Sequence, residues 1–142
     1  MRVVIAIDGS YVALRALRTF LGLAKELAAP PEVHLVSVAD YIEMPAGLSK
    51  APPQAPDLLA SEAETALAAA SELARELGVQ VRPVLLHGHV VDAVLEYARQ
   101  IDAGLIVAGT HGRKGFRRAV LGSTCEGLLR HSDVPVLSVR YG

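Results

Sequence analysis

The residues best suited to chemistry are concentrated between Gly104 and Thr124, in the stretch GLIVAGTHGRKGFRRAVLGST. Glycines stand at Gly109, Gly112, Gly115 and Gly122, and His111, Arg113, Lys114, Arg117 and Arg118 lie among them with no acidic residue to balance the charge. Such a segment suits an anion. Glycine lets backbone N–H groups approach a ligand with no Cβ in the way, and it supplies the positive φ angles that turn those groups inward. Ser123 opens an S-x-x-E sequence closed by Glu126, the pattern of a capped helix start. A helix beginning there presents free N–H groups and the positive end of its dipole to phosphate. Ser123 and Thr124 can add hydroxyl and backbone donors, with Ser123 able to serve the ligand, its own helix, or both.

The elements that must position this stretch follow from hydrophobic periodicity. Residues 3–7 form a β-branched run that reads as a strand buried on both faces and ends in Asp8-Gly9-Ser10. Residues 11–28 place Leu14, Leu17, Leu21, Ala24 and Ala28 on one helical face, and Ala29-Pro30-Pro31 stops that helix. A second strand spans 33–39. The proline-bearing segment 41–56, with Pro45, Pro52, Pro53 and Pro56, reads as a mobile loop. A second helix over 57–77 turns Leu59, Ala63, Ala66, Ala70, Leu73 and Leu77 inward and meets Gly78 at its end. A third strand over 79–86 turns at His87-Gly88-His89 into a helix carrying Val91, Val94, Leu95, Ala98 and Ile101. The apolar run 105–108 is the fourth strand, 123–130 the last helix, and 134–140 a fifth strand with Pro135 near its start, where a lost N–H costs least. Strands alternating with helices predict an α/β fold: an open, doubly wound, five-stranded parallel sheet with helices on both faces. Ligands of such sheets bind at the carboxyl ends of the strands where the topology reverses, and Asp8, Ala39 and Gly109 fall at such ends.

Two common phosphate motifs are excluded. No lysine followed by Ser or Thr closes a glycine pair, as G-x-x-x-x-G-K-[ST] requires. The G-x-G-x-x-G fingerprint is missing too, because Gly109, Gly112 and Gly115 are each separated by two residues. What stands instead is G-x-x-G, nine residues, then G-S, at Gly109, Gly112, Gly122 and Ser123. This spacing resembles the G-2x-G-9x-G-[S/T] nucleotide-binding signature of the universal stress protein (UspA) family, ATP-binding subgroup, and the resemblance covers nearly the whole chain. It implies a Rossmann-like sheet in the order 3-2-1-4-5, with Asp8 against the ribose and Ala6 and Val38 flanking the adenine. It also implies ATP phosphates held by Ala108, Gly109, His111, Gly112, Arg113, Gly122, Ser123 and Thr124, with Mg2+ carried mainly by the phosphates. A homodimer paired through the last strand, Val134 to Arg140, and a protein partner of unknown identity complete what the resemblance implies. The chain departs from the family at Gly88-His89-Val90, where many members have G-x-P.

The expected role is a nucleotide-dependent stress-response or signalling module with little intrinsic hydrolysis. Between Asp102 and Glu126 there is no Asp, Glu, Asn or Gln to orient an attacking group. The alternative is a slow ATPase or a phosphoryl- or adenylyl-transfer enzyme using the same site. A nucleotide-free interaction module is a third reading, against which the intact signature stands.

Composition bounds the rest. The 142 residues predict one domain, within the usual range of roughly 100–200. A formal net charge of −1 gives the whole molecule no long-range attraction for nucleic acid or acidic membranes. Cys125, the single cysteine, cannot form an internal disulfide and reads as a small buried hydrophobe. No apolar run approaches the ~20 residues of a membrane span and no signal peptide is apparent, so a cytoplasmic protein is expected. His34, His87, His89 and His131 lack metal-ligand spacing and read as structural or surface residues.

Overall fold

A computed structural model describes residues 1–40, 55–111 and 121–140. Its elements are β1 Arg2–Ala6, α1 Tyr11–Ala24, β2 Glu32–Asp40, α2 Ala55–Glu76, β3 Val81–Gly88, α3 Val90–Gln100, β4 Leu105–Gly109, α4 Ser123–His131 and β5 Val136–Val139. The strands form one parallel sheet in the order β3-β2-β1-β4-β5, as expected.

Alternation along β1 sorts its side chains between two layers. Val3, Ile5 and Ile7 pack with Leu17, Phe20 and Leu21 of α1 and Leu67, Ala70 and Ala74 of α2. Val4 joins Val94, Leu95 and Ala98 of α3 and Leu128 of α4 on the opposite face. Each fully buried branched side chain contributes about 1.5–3 kcal/mol through burial, so the two layers together hold the sheet between its helices. The small side chains of α2 (Ala66, Ala70, Ala74) let that helix lie close to the strands. The chain leaves β1 on the α1 face and leaves β4 on the α4 face. A crevice therefore opens at the carboxyl ends of β1 and β4, where the winding reverses.

Several boundaries move for physical reasons. The first helix ends at Ala24 rather than 28, because Glu26 and Leu27 donate back three residues to Leu23 and Ala24 and Leu27 stays 46% exposed, with no packing to extend the helix. The second begins at Ala55, so Pro56 sits in its first turn, where a missing N–H is not needed. Residues 41–54 of the expected loop lie outside the described residues. The third strand starts at Val81, not 79, since Gly78 (φ 74°) and Val79 close α2 by donating to Arg75 and Ala74. The last strand is shortened to Val136–Val139: the Ser132 hydroxyl bonds both the N–H and the carbonyl of Val134, and Pro135 has no N–H to give.

The edges of the sheet differ. β3 carries Pro83, a residue that sheets tolerate at edges, whereas β5 is a short run of Val136, Leu137, Ser138 and Val139. Among the described residues no helix is long and apolar enough to cross a membrane.

Candidate functional site

The crevice is built from the exits of the two central strands. Past β1, the Asp8 carboxylate accepts the Ser10 N–H at 2.9 Å, and Gly9 turns the chain with φ 80°. The Ser10 hydroxyl then accepts the Ala13 N–H at 3.1 Å and caps α1. Asp8 is thus half-buried at the expected strand end, with one oxygen engaged in the turn. Ala6, Val38 and Ala108 lie on one face of the sheet, that of α3 and α4, with Ala108 only 2% exposed and the other two half-buried.

Gly109 ends β4 opposite Val139. A Cβ there would lie 2.7 Å from Val12 Cγ1 and 3.1 Å from the Val12 backbone, so the close approach of β4 to the first turn of α1 requires glycine. Positive φ is not the reason. Among the described residues the glycines with positive φ are Gly9, Gly78 and Gly88, which corrects the expectation for Gly109 and Gly122.

The start of α4 is also corrected. Gly122, with φ −62° and ψ 151°, is the N-cap, and Ser123 is already the first helical residue, one position too late to cap. The S-x-x-E box does not form, and Glu126 pairs instead with Arg130 at 2.8 Å. The first helical bond runs from the Glu126 N–H to the Gly122 carbonyl at 2.9 Å. The N–H groups of Ser123, Thr124 and Cys125 precede it, and a glycine cap has no side chain to occupy them. Ser123 is exposed and Thr124 half-buried.

Thr110 closes the base of the glycine loop. Its N–H donates to the Val139 carbonyl at 2.9 Å, its carbonyl accepts the Gly122 N–H at 2.7 Å, and its Oγ1 lies 3.0 Å from His111 Nδ1. Thr110 is 5% exposed. The structure therefore brings Asp8, His111, Gly122 and Ser123 to the same carboxyl end of the sheet, and it adds Thr110, which motif spacing does not mark. Gly112, Arg113, Lys114, Gly115, Arg117 and Arg118 lie outside the described residues.

The opposite end of the sheet is self-satisfied. A cavity of about 440 Å³ there is lined by Arg2, Glu32, His34, Arg82, Gln100, Ile101 and Asp102. Glu32 sits 3.7 Å from Arg2, 3.2 Å from Arg82 and 3.0 Å from His34 Nε2. His34, 4% exposed, bridges two groups: its Nε2 lies 3.0 Å from Glu32 Oε1 and its Nδ1 lies 2.7 Å from the Tyr97 hydroxyl. The His34 hydrogen bond, then the charges of Arg82, His34 and Arg2, hold the Glu32 carboxyl below its ordinary value against a partial desolvation. Burial pushes the Tyr97 phenol and the Cys125 thiol up. Cys125 is a buried, protonated thiol, as its reading as a hydrophobe anticipates.

With this geometry in view, comparison with known proteins decides the family. The universal stress protein family model matches residues 1–140. The chain belongs to the universal stress protein family. It is 34% identical over 140 residues to universal stress protein MJ0531 of Methanocaldococcus jannaschii, covering 98% of this chain and 81% of that one. It also superposes on a family member from Burkholderia pseudomallei with TM-score 0.75 at 31% identity, covering 97% and 94% of the two chains. The universal stress protein of Archaeoglobus fulgidus, solved in complex with dAMP, superposes with TM-score 0.69 at 25% identity over 97% and 96%.

Proposed function

We propose that this universal stress protein binds ATP in the crevice between β1 and β4 and acts as a nucleotide-dependent stress-response module in the cytoplasm. The observation that carries the reading is the glycine-capped start of α4, tied by the Gly122 N–H to Thr110 at the same carboxyl end of the sheet as Asp8. A helix start of this kind offers N–H donors and a positive dipole end to phosphate. The dAMP complex of the Archaeoglobus relative supports an adenine nucleotide as the ligand.

In this reading Asp8 accepts from the ribose hydroxyls, and Ala6 and Val38 flank the adenine. The backbone of Ala108 and Gly109, with His111, Gly112 and Arg113, leads the phosphates to Gly122, Ser123 and Thr124. The residues present fit a nucleotide whose Mg2+ is carried mainly by its own phosphates. A homodimer paired through β5 is supported by the contrast between its apolar edge and the proline on β3. Charge neutralisation without a group to orient an attacking water stabilises ground and transition states alike, so hydrolysis is slow.

One experiment separates the readings. Stoichiometric radiolabelled ATP is mixed with nucleotide-free protein and Mg2+, and the retained label is recovered by filter binding. Recovery as intact ATP over minutes supports a binding module. Recovery as ADP within seconds makes the enzyme reading correct, and no retention removes the nucleotide reading.

A further inference from the structure

The two hydrogen bonds that fix the Thr110 backbone leave its side chain little freedom. The N–H is held by Val139 of β5, the carbonyl by Gly122, and the residue is 5% exposed. Its hydroxyl lies 3.0 Å from Nδ1 of the half-buried His111. Such a contact has two arrangements. If Nδ1 carries the imidazole proton, it donates to Oγ1, and the threonine proton must find another acceptor in a buried site. If Oγ1–H donates to Nδ1, both groups are satisfied by one bond, and the imidazole proton sits on Nε2.

We infer that Thr110 is a positioning residue that holds His111 in the Nε2–H tautomer, ready to donate to an anionic oxygen of the ligand. The inference rests on the nucleotide reading above. A hydrogen-bonded partner on one ring nitrogen fixes what the other nitrogen does, which is how threonine here selects a donor and excludes an acceptor that would repel phosphate. The same residue bonds Gly122, so the His111 donor and the N–H groups opening α4 are both referenced to Thr110. Both sets of donors are aligned before any ligand arrives.

The test uses 15N-labelled, nucleotide-free protein and long-range 1H–15N spectra of its imidazoles, recorded at about pH 8.5, where neutral tautomers are compared. The wild type and Thr110→Ser, which keeps the hydroxyl, are expected to show His111 as the Nε2–H tautomer. Thr110→Val, close to isosteric, is expected to show a mixture and to bind ATP and inorganic triphosphate about 5-fold more weakly, with Thr110→Ser restoring both. An Nδ1–H tautomer in the wild type overturns the inference, as does a folded Thr110→Val with unchanged tautomer and affinity. Should Thr110→Val not fold by circular dichroism, the wild-type and Thr110→Ser spectra decide. If neither ATP nor triphosphate binds the wild type, the nucleotide reading is what fails, and the tautomer alone then decides the Thr110–His111 assignment.

Discussion

Helices α1 and α4 follow the two central strands, yet their first turns are finished in opposite ways. At α1, Ser10 caps the helix with its own hydroxyl and Asp8 steadies the turn before it. At α4 the cap is Gly122, which has no side chain, and the acidic residue of the first turn, Glu126, is drawn away to Arg130. A helix start whose own side chain takes up one of its donors, as Ser10 takes the Ala13 N–H, gains stability and has one fewer to offer. One capped by glycine forgoes about 1 kcal/mol or less of local stability and keeps its donors for a ligand. On the proposed reading, the difference marks the start of α4, not that of α1, as the one that receives phosphate.

The sharpest way to break this contrast is to give α4 a cap of its own. The Gly122 dihedrals, φ −62° and ψ 151°, suit any residue, so Gly122→Asp introduces no backbone strain. Its carboxylate would cap the helix and place a negative charge where phosphate approaches. ATP affinity is expected to fall by about 100-fold or more while the melting temperature does not drop. Calorimetry paired with thermal denaturation checks both. Unchanged affinity would show that the phosphates lie elsewhere.

The converse change acts at α1. Ser10→Ala removes the bond to the Ala13 N–H and is expected to cost about 1 kcal/mol of stability, while ATP affinity stays within about 3-fold. Urea denaturation and an ATP titration measure the two effects. A large loss of affinity without loss of stability would make α1 the ligand's helix.

The smallest effect is expected at the far end of the sheet, where Glu32 is paired with Arg2, Arg82 and His34. Its folded-state carboxyl is held below the ordinary value of 4.5, chiefly by the His34 hydrogen bond. The stabilisation is fully present above the ordinary value and is lost as pH falls through the depressed one. Glu32→Gln should therefore flatten the acid limb of the stability profile and leave ATP binding alone. Melting temperatures from pH 7 to pH 3 (about that range) suffice, and an unaltered acid limb would mean the pairing is lost to solvent.

The order of elements was legible in the sequence because each strand is a short apolar run and each helix carries an apolar stripe at a spacing of three and four. Ala63, Ala66 and Ala70 pointed inward as read. What was not legible depended on which residue adopts which backbone angles. Ser123 looked like a cap because it begins S-x-x-E, but the turn of extended backbone falls one residue earlier, on Gly122. Gly109 looked like a conformational glycine, yet Val12, nearly a hundred residues away in sequence, is what excludes a side chain. Thr110 was invisible because its bonds reach Val139 and Gly122, pairings that exist only once β4, β5 and α4 have assembled. His34 read as structural and is so, although its partner Tyr97 could not be named from spacing.

The most direct measurement is calorimetric titration of ATP and of inorganic triphosphate into nucleotide-free wild-type protein and into Asp8→Ala. If the nucleoside lies on Asp8 and the phosphates on α4, the wild type binds both ligands. Asp8→Ala then weakens ATP by about 1–3 kcal/mol through lost ribose hydrogen bonds and leaves triphosphate unchanged. A wild type that binds neither ligand, or an Asp8→Ala variant that loses both equally, would contradict the placement of a nucleotide across this crevice.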